Sequence, residues 1–490
     1  MNPRLILRKT KIVATIGPAS DELITLKAMI NAGMNVARLN LSHGDFDDHA
    51  QRLERIRRAA REMDVLIATM IDTRGMEVRS GVLNMDSVEL KAGQTFRLYA
   101  QPREGDAGGV SISYPPLVDE VKVGCRVMVD DGLIELLAEE HESGALKCQV
   151  VVGGTLRARK SINVPESKLS LGFDDPESRQ VLHAELKFAA EQDVDYIAAS
   201  FIQGADDIHA IRAQLREFDA RIPIIAKIES RSGVNNLDAI VATANGTMVA
   251  RGDLGVELPL AEVPGSQKKI IHTTVYNGKP VITATQMLDS MERNPRPTRA
   301  EASDVANAIL DGSSAVMLSG ETAMGKYPVE SVSTMSTLAL KAESYLKDYG
   351  HLQKSQPNPT NRITEAVSQA AVSMASHLSA GAIISLTTSG FTSRLVSKHR
   401  PDCPIMAITE SSLSARRLCM NWGVIPIQCP AGLPDRGKIA FAIARGIEAG
   451  YLLEDDLVIS TAGFHELPGA TDQIRVIKVE TNPNNSNVGT

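Results

Sequence analysis

The sequence predicts an α/β protein made of a (β/α)₈ barrel, an all-β domain inserted after the third barrel strand, and a C-terminal open α/β domain. Three observations lead to this prediction. Eight short apolar runs alternate with helical segments, a turn-rich stretch interrupts them after the third run, and a second strand–helix alternation follows the eighth. The chain has 490 residues, which is too long for one compact core and suggests about three domains.

The barrel prediction rests on apolar runs rich in β-branched residues, each as long as a buried strand. These runs cover 11–17, 35–42, 66–73, 196–202, 223–229, 247–253, 280–286 and 315–322. Helical patterns lie between them at 22–32, 49–63, 180–192 and 205–218. Alternating strands and helices form parallel βα units, and eight such units predict a closed TIM barrel with its site at the carboxyl ends of the strands.

The rest of the chain divides around the barrel. The predicted units are a barrel from 1–73 and 172–348, an inserted β-barrel lid domain at 74–171, and a C-terminal α/β domain at 349–490. Turn residues at 91–93, 131–132 and 153–154 separate short strands, which is typical of an all-β domain. We expect a polar linker at 349–361 and a frayed tail at 481–490.

Composition excludes several classes of protein. The 52 basic and 59 acidic residues leave a formal charge of −7, which argues against a protein that coats nucleic acid or an anionic membrane. The five cysteines are scattered and include no CxxC pair, so neither a disulfide framework nor a zinc site is predicted. No apolar run is long enough for a membrane span and the first residues lack a signal pattern, so we expect a cytoplasmic protein.

The second predicted strand ends in polar residues. Side chains alternate along a strand, so Arg38, Asn40 and Ser42 share one face. A buried parallel strand is normally apolar on both faces, and a polar row there is costly unless a polar partner meets it. We interpret this row as part of a site at the end of the barrel; a structural salt bridge at the barrel bottom is the alternative.

Charged residues end the fifth and sixth predicted strands. Lys227 and Glu229 share one face of the fifth strand, and Asp253 ends the sixth. Two carboxylates with water or substrate completing the shell suit Mg²⁺ better than Zn²⁺. An internal Lys227–Glu229 ion pair is the structural alternative, although a third charge nearby makes a purely structural purpose a weaker explanation.

Two further groups of oxygen atoms follow barrel strands. On the seventh strand, Thr283 and Thr285 are both expected to point inward and to offer hydroxyls to a reacting carbon or an oxyanion. At the ends of the second and third strands, an oxygen-rich group of low charge predicts a site for a monovalent cation. Its members are Asn40, Ser42, Asp72 and Thr73.

These residues, in this order, resemble the pyruvate kinase family over nearly the whole chain. The most specific stretches are 38–44, 226–229, 248–255, 279–288, 294–301 and 304–307. The family's plan is a barrel, a β domain inserted after strand three and a C-terminal α/β domain. The resemblance implies that the chain transfers the phosphoryl group of phosphoenolpyruvate to ADP, giving pyruvate and ATP.

The resemblance also implies roles for the barrel residues. Arg38 and Lys227 would hold the substrate phosphate, and Glu229 and Asp253 would bind Mg²⁺ or Mn²⁺. Backbone N–H groups at Gly252 and Asp253 would receive the substrate carboxylate if a helix begins there.

A second set of implied roles concerns the cations and the proton. Asn40, Ser42, Asp72 and Thr73 would be the K⁺ ligands, and the Thr285 hydroxyl lies where it would relay a proton to the enolate of pyruvate. The family associates a glutamate at the position of Glu77 with dependence on K⁺.

For the nucleotide, the resemblance implies contacts from Asn40, His43, Arg79 and, on the lid domain, Lys160. The lid would exclude water from the reacting phosphoryl group. Met76 replaces a proline of the family pattern at the hinge between barrel and lid, so the stiffness of the lid is expected to differ. The segment after Lys160 also lacks the family's glycines.

The C-terminal domain contains a loop that resembles the family's allosteric effector loop. Its hydroxyls and N–H groups, from Thr387, Thr388, Ser389, Gly390 and Thr392, would form a phosphate pocket; a capped turn is the alternative. Segment 464–473 lacks the Trp and Arg that grip a second phosphate in relatives activated by fructose bisphosphate, so we expect a monophosphate effector, either a sugar phosphate or AMP. The resemblance also implies a homotetramer.

Two other functions compete with this interpretation. A Mg²⁺-dependent barrel lyase of the pyruvate aldolase type also stabilises a pyruvate enolate with a Glu and an Asp, but it needs neither a monovalent cation site nor a nucleotide lid. A non-enzymatic barrel is expected to lose Lys227, Glu229 or Asp253, and all three are present.

Overall fold

The computed structural model describes residues 7–75, 78–167, 176–350, 362–463 and 471–480. The chain begins with three strand–helix units of a barrel. They comprise β1 (Lys11–Thr15), α1 (Leu23–Ala32), β2 (Val36–Asn40), α2 (Phe46–Glu62) and β3 (Ala68–Asp72). β1, β2 and β3 each have five residues, and all five residues of β1 and of β3 are buried.

An all-β domain interrupts the barrel after β3, as predicted. It comprises β4 (Val78–Arg79), β5 (Ser87–Leu90), β6 (Thr95–Tyr99), β7 (Gly109–Ser111), α3 (Leu117–Glu120), β8 (Arg126–Val129), β9 (Ile134–Glu142), β10 (Ala145–Val152), β11 (Gly154–Arg157) and β12 (Ser161–Asn163). The strands form a seven-stranded sheet in the order β4-β12-β8-β9-β10-β6-β7 and a two-stranded sheet of β11 and β5. Alternate residues of β6 and β8 are buried in the domain's own apolar core.

The barrel resumes with five more strands. Its elements are α4 (Pro176–Glu191), β13 (Tyr196–Ala199), α5 (Ala205–Glu217), β14 (Ile224–Ile228), α6 (Arg231–Asn235), α7 (Leu237–Thr243), β15 (Gly246–Ala250), α8 (Arg251–Glu257), α9 (Val263–Tyr276), β16 (Val281–Ala284), α10 (Arg299–Leu310), β17 (Ala315–Leu318), α11 (Gly320–Ala323), α12 (Pro328–Glu343) and α13 (Leu346–Tyr349). The eight strands close in the order β1-β17-β16-β15-β14-β13-β3-β2, with parallel neighbours throughout. The predicted barrel is confirmed.

The predicted sixth and seventh strands were too long. The sixth was predicted over 247–253, but β15 ends at Ala250 and α8 begins at the next residue. The seventh was predicted over 280–286, but β16 ends at Ala284 and is followed by two residues with left-handed backbone. Asp253 and Thr285 therefore lie beyond the strands, where the chain has already turned.

The C-terminal domain is an open sheet with helices on both faces. It comprises α14 (Arg362–His377), β18 (Ala382–Leu386), α15 (Phe391–Lys398), β19 (Ile405–Thr409), α16 (Ser412–Leu418), β20 (Val424–Gln428), α17 (Asp435–Glu448), β21 (Leu457–Gly463) and β22 (Thr471–Lys478). The strand order is β20-β19-β18-β21-β22, and only β22 runs antiparallel to its neighbour. The exact boundaries between the three units stay a prediction, because 168–175 and 351–361 lie outside the described residues, as does the tail after 480.

The C-terminal domain closes the amino end of the barrel. Cys419 and Met420, which follow α16, belong to the same buried apolar cluster as the residues that fill the barrel interior. The hydroxyl of Tyr196, at the start of β13, donates a hydrogen bond to the carbonyl oxygen of Arg417 at 2.5 Å. The C-terminal domain therefore packs against the end of the barrel interior that is opposite the carboxyl ends of the strands. Within the described ranges, no helix combines the length and the apolar character needed to cross a bilayer.

A buried ion pair joins helices α14 and α15 of the C-terminal domain. Lys398 of α15 lies 2.5 Å from Glu365 of α14, and the two side chains are 0% and 1% exposed. The Lys398 ammonium also lies 5.0 Å from the ring centroid of Tyr276, at the end of barrel helix α9. Removing one partner of such a pair leaves the other charge buried without compensation.

We therefore expect Glu365→Ala to lower the free energy of unfolding by about 3–5 kcal/mol, because the Lys398 ammonium loses its counter-charge. Urea denaturation followed by circular dichroism measures this change. The control is Glu448→Ala, which breaks the exposed pair of Glu448 with Arg445 at 2.9 Å and should cost about 1 kcal/mol or less. Equal losses in the two variants would contradict the prediction.

Candidate active site

A cavity of about 140 Å³ opens at the carboxyl end of the barrel. The predicted residues that line it are Arg38, Asn40, Ser42, Asp72, Thr73, Lys227, Glu229, Asp253 and Thr285. They come from β2, β3, β14, α8 and the loop after β16, so segments far apart in the chain converge on one point. A (β/α)₈ barrel brings the ends of all its strands to one face, which explains the convergence.

A network of ion pairs forms the floor of the cavity. Arg38 Nε lies 2.7 Å from Asp72 Oδ2, and Lys227 Nζ lies 3.0 Å from Asp72 Oδ1 and 2.9 Å from Glu229 Oε1. Arg38 Nη1 also donates to the Thr15 hydroxyl at 2.8 Å. Arg38, the first residue of the polar row predicted on β2, therefore has its partners on β3 and β1. The alternative of a salt bridge at the barrel bottom is wrong, because the network lies at the opposite end.

Burial and charge shift the pKa values of this network in different directions. Burial raises the pKa of Glu229 to about 7; Lys227 opposes the increase and Asp253 adds to it. Burial also acts to raise the pKa of Asp72, but the charges of Arg38 and Lys227 outweigh it and the pKa is lowered. For Lys227, burial acts to lower the pKa, and the carboxylates of Asp72 and Glu229 reverse that effect and raise it. The network therefore favours the charged forms of Asp72 and Lys227, whereas burial disfavours the charged form of Glu229.

The cavity fits a bound divalent cation. In the described part of the chain, the residues that line the cavity include three carboxylates, those of Asp72, Glu229 and Asp253, and two cationic side chains, those of Arg38 and Lys227. Glu229 Oε1 is buried and makes no well-oriented hydrogen bond in the structure, although Lys227 lies 2.9 Å away. A cation between Glu229 and Asp253 would supply the missing positive charge, and oxygen ligands of this kind suit Mg²⁺.

The oxygen-rich group predicted for a monovalent cation is also assembled. Asn40, Ser42, Asp72 and Thr73 all line the cavity. Asn40 Oδ1 accepts a hydrogen bond from the Ser42 backbone N–H at 3.2 Å, and the Thr73 hydroxyl accepts one from the backbone N–H of Ser200 at 3.2 Å. Asp72 is the only charged member, and its charge is already shared with Arg38 and Lys227. A group with so little uncompensated charge is suited to a monovalent ion.

Helix α8 begins beside the cavity, as expected if the site receives an anion. Asp253 lies in its first turn and lines the cavity. The backbone N–H of Gly252 donates a 2.8 Å hydrogen bond to the Thr285 hydroxyl, which itself donates to the carbonyl oxygen of Ala284 at 2.7 Å. The helix terminus and Thr285 therefore form one connected unit.

The expectation for Thr283 was wrong. Ile282 and Ala284 of β16 belong to the interior cluster of the barrel, so period-two alternation turns Thr283 outward, where its hydroxyl lies 2.7 Å from that of Ser313. Thr285 would face outward too if the strand continued. It reaches the cavity because the backbone turns left-handed, with φ of 63° at Thr285 and 53° at Gln286, at a cost of about 1–2 kcal/mol for each residue.

Two site residues were not singled out from the sequence. Ser200 follows β13, and its hydroxyl accepts a hydrogen bond from Lys227 Nζ at 2.7 Å and donates one to the carbonyl oxygen of Thr73 at 2.8 Å. Phe201 has φ of 52°, and its backbone N–H donates to Glu229 Oε2 at 2.6 Å. The signal for Ser200 was present, because it lies two residues after Ala198 on the interior face. Phe201 acts through its backbone, which leaves no mark in the side-chain pattern.

Several predicted contacts lie away from the cavity. His43 is exposed after β2, and Arg79 is exposed on the inserted domain, where its Nη1 donates to the carbonyl oxygen of Arg159 at 3.0 Å. Lys160 Nζ pairs with Asp130 at 2.8 Å on the same domain. None of the three lines the cavity in the described part of the chain. Glu77, together with Met76, lies outside the described residues.

The predicted effector loop joins β18 to α15. The hydroxyl of Thr387 accepts a 2.9 Å hydrogen bond from the backbone N–H of Gly390, which has φ of 79°, as in a capped turn. Thr388 and Ser389 are exposed, and the Thr388 carbonyl oxygen accepts a hydrogen bond from the Ser414 hydroxyl at 2.7 Å. Thr392, unlike Thr388 and Ser389, is buried.

The Thr392 side chain is buried, and its hydroxyl lies 2.5 Å from that of Thr471 at the start of β22. Most of segment 464–473 lies outside the described residues.

Comparison with known proteins gives consistent matches. Residues 7–332 match the family model described as the pyruvate kinase barrel domain, and residues 365–477 match that of the pyruvate kinase alpha/beta domain. The chain is 44% identical over 475 residues to the pyruvate kinase of Geobacillus stearothermophilus, which covers 96% of this chain and 80% of the relative. It is 41% identical over 477 residues to that of Clostridium acetobutylicum, covering 97% and 100%.

The hydrogen bond from Lys227 to the Ser200 hydroxyl predicts that Ser200 contributes to the stability of the fold. We expect Ser200→Ala to lower the free energy of unfolding by about 1–3 kcal/mol, because Lys227 loses a hydrogen-bond acceptor at a buried position. Urea denaturation measures the change. Ser344→Ala is the control, since it removes an exposed hydroxyl that donates to the Lys341 carbonyl oxygen at 2.7 Å. A loss in Ser200→Ala no larger than the control's would show that the contact contributes little.

Proposed function

This chain belongs to the pyruvate kinase family, and from that membership we propose how its barrel residues transfer a phosphoryl group from phosphoenolpyruvate to ADP. The enzyme forms pyruvate and ATP, and its family generally depends on a divalent metal and on K⁺. The observation that carries the assignment of the site is the buried network of Arg38, Asp72, Lys227 and Glu229 at the carboxyl end of the barrel.

Arg38 and Lys227 bind the phosphate of phosphoenolpyruvate in this proposal. Phosphoryl transfer requires mainly positioning and neutralisation of anionic oxygens, which two preorganised cations provide. Asp72 supports the assignment, because its two oxygens hold Arg38 at 2.7 Å and Lys227 at 3.0 Å before any substrate arrives. The cations therefore need little reorganisation when the substrate binds.

The metal ligands follow from the oxygen atoms around the network. Glu229 and Asp253 would hold Mg²⁺ or Mn²⁺, and a bound divalent ion neutralises developing charge on substrate oxygens. Asn40, Ser42, Asp72 and Thr73 would hold K⁺. The first turn of α8 at Gly252 and Asp253 would receive the substrate carboxylate on its backbone N–H groups, with the Gly252 N–H shared between the carboxylate and the Thr285 hydroxyl, to which it donates at 2.8 Å.

The enolate of pyruvate leaves when the phosphoryl group is transferred, and it must gain a proton at C3. Lys227 stabilises the enolate oxygen through its charge. The Thr285 hydroxyl passes its proton to C3 and takes one back from solvent, so the residue is unchanged after the step. Its place on the cavity wall beside Gly252 N–H, at 2.8 Å, supports this role.

The inserted domain would act as the lid over the nucleotide. Arg79 and Lys160 on the lid, with Asn40 and His43 on the barrel, would contact ADP. Lys160 would exchange Asp130, its present partner at 2.8 Å, for a nucleotide phosphate. Asn163 Nδ2 on the lid donates a 3.3 Å hydrogen bond to Glu257 Oε1 at the end of α8. This contact between the lid and the helix beside the cavity supports the role of the lid. Closure excludes water, which would otherwise hydrolyse the phosphoryl group.

The first experiment measures pyruvate formation from phosphoenolpyruvate and ADP with Mg²⁺, in parallel K⁺ and Na⁺ buffers. We expect pyruvate to form only with ADP, to form much faster in K⁺, and to stop when EDTA removes the divalent ion. Equal rates in K⁺ and Na⁺ would reject the K⁺ site and the role of Glu77 while retaining the kinase. No ADP-dependent pyruvate in either buffer, with and without candidate sugar phosphates, would instead favour the aldolase type of barrel or a non-enzymatic barrel.

The C-terminal domain would regulate the enzyme through its effector loop. We place a phosphorylated small molecule, a sugar monophosphate or AMP, at Thr387, Thr388, Ser389 and Gly390, with Thr392 supporting the loop from the interior. Exposed hydroxyls before the N-terminus of α15 support an anion site there. We also propose a homotetramer, which the family resemblance implies and which light scattering at the assay concentration tests.

A negative charge in the loop should repel such an effector. We expect glucose 6-phosphate or AMP to lower the phosphoenolpyruvate concentration at half-maximal rate, and Thr388→Glu to abolish that shift while leaving the maximal rate within about twofold, because Thr388 is exposed and remote from the cavity. Ser333→Glu, at an exposed position of α12, is the matched control and should respond like the unmodified enzyme. Undiminished activation of Thr388→Glu would place the effector elsewhere.

A further inference from the structure

Arg251 is a largely buried cation that the mechanism above does not use. It is the first residue of α8, and its side chain is 12% exposed. The guanidinium points to the loop after β16, where Nε lies 3.1 Å from the carbonyl oxygen of Ala284 and Nη2 lies 2.7 Å from that of Thr285. Nη2 also lies 3.3 Å from the carbonyl oxygen of Gln286. One side chain therefore binds three successive carbonyl oxygens.

The opposite edge of the guanidinium is held by α10. Arg251 Nη1 lies 2.6 Å from Asp304 Oδ2, an ion pair that orients the plane of the group. Arginine presents its donors in a rigid planar fork, whereas lysine presents one compact ammonium. Only the fork can bind the loop carbonyl groups on one edge and a carboxylate on the other.

The carbonyl groups converge on Arg251 because of an unusual backbone. Thr285 and Gln286 both have left-handed φ values, 63° and 53°, which residues with a side chain rarely adopt. Such conformations persist where surrounding contacts hold them. Arg251 supplies those contacts, and without them the loop is expected to relax toward extended backbone, which would carry the Thr285 side chain out of the cavity.

The same turn of α8 also holds the Thr285 side chain. Gly252, the next residue after Arg251, donates its backbone N–H to the Thr285 hydroxyl at 2.8 Å. Arg251 therefore fixes the backbone of Thr285, and its neighbour fixes the hydroxyl. In the described part of the chain Thr285 lines the cavity and Arg251 does not.

We infer that Arg251 is a positioning residue of the reaction: it holds the strained Thr285–Gln286 loop so that the Thr285 hydroxyl faces C3 of the enolate, without touching substrate. This inference rests on the proposed role of Thr285 in proton transfer. In that step the hydroxyl proton forms the new C3–H bond and the hydroxyl regains a proton from solvent water, so no other reactant is needed.

The test is a double-mutant cycle of Arg251→Lys and Thr285→Ala in the holoenzyme with Mg²⁺ and K⁺. Two rates are measured: pyruvate formation from phosphoenolpyruvate and ADP, and exchange of the pyruvate methyl protons with D₂O, followed by proton NMR. We expect Arg251→Lys to slow both about tenfold, with KM for phosphoenolpyruvate within about twofold. In the Thr285→Ala background it should change either rate by about twofold or less, because the group it positions is gone.

Three outcomes would overturn the inference. Equal slowing by Arg251→Lys in both backgrounds would mean that Arg251 acts without Thr285, and an unchanged rate in Arg251→Lys would mean that the clamp is dispensable. Methyl exchange at the normal rate in Thr285→Ala would show that the Thr285 hydroxyl does not donate the proton, so Arg251 would have no reacting group to position. Pyruvate formation by that variant would still support the kinase activity.

Two further variants distinguish a loss of positioning from a general loss of folding. Asp304→Asn removes the charge that orients the guanidinium and should slow both rates about threefold to tenfold, again only while Thr285 is present. Arg231→Lys is the matched control, because Arg231 forms an exposed pair with Glu262 at 3.2 Å on the same side of the barrel and should leave both rates unchanged. Melting temperatures of all variants separate loss of structure from loss of positioning.

Discussion

The buried carboxylate of Asp72 is the group on which the rest of the site depends. Its side chain is 1% exposed, and removal from water would be costly for a charged group without partners. Arg38 and Lys227 compensate it at 2.7 and 3.0 Å, one on each oxygen. These partners stand on β2 and β14, with Asp72 between them on β3. The charge network therefore requires the parallel pairing of β2, β3, β13 and β14, because these neighbouring strands place their carboxyl ends side by side.

Backbone strain complements the charges. Phe201 and Thr285 follow different strands, and both adopt left-handed φ values, 52° and 63°, within two residues of the strand ends. The first turns a backbone N–H toward Glu229, and the second brings a hydroxyl onto the cavity wall. The barrel supplies a rigid frame, and these two strained residues turn the chain at the strand ends. The turns bring the Phe201 N–H and the Thr285 hydroxyl to positions that a continued strand would not give them.

The two other structural units meet the barrel at different places. The C-terminal domain fills the amino end with Cys419 and Met420, and the inserted domain contacts α8 near the carboxyl end through Asn163 and Glu257. Helix α15, which begins at the predicted effector loop, ends at Lys398, whose ammonium lies over Tyr276 of α9. α9 follows α8 in the chain, so packed elements connect the effector loop to the helix that begins beside the cavity.

Much of this architecture was determined by the sequence itself. Apolar runs and their alternation with helices depend on local composition, so the eight barrel strands, the inserted β domain and the C-terminal sheet were all predicted. The charged and polar residues that line the cavity, with the exception of Ser200, were predicted for the same reason. Arg38, Lys227 and Glu229 are exceptions to an apolar strand pattern, and such exceptions are visible without a structure.

Only the tertiary structure decided which partners those residues meet and where strands give way to turns. Period-two alternation wrongly placed Thr283 inside the barrel, and the left-handed turn that brings Thr285 to the cavity leaves no trace in composition. Ser200, the backbone of Phe201 and the clamp by Arg251 likewise depend on contacts between distant segments. The physical reason is that a sequence pattern records which face a side chain prefers, whereas a hydrogen-bonded site depends on distances that exist only after the barrel has closed.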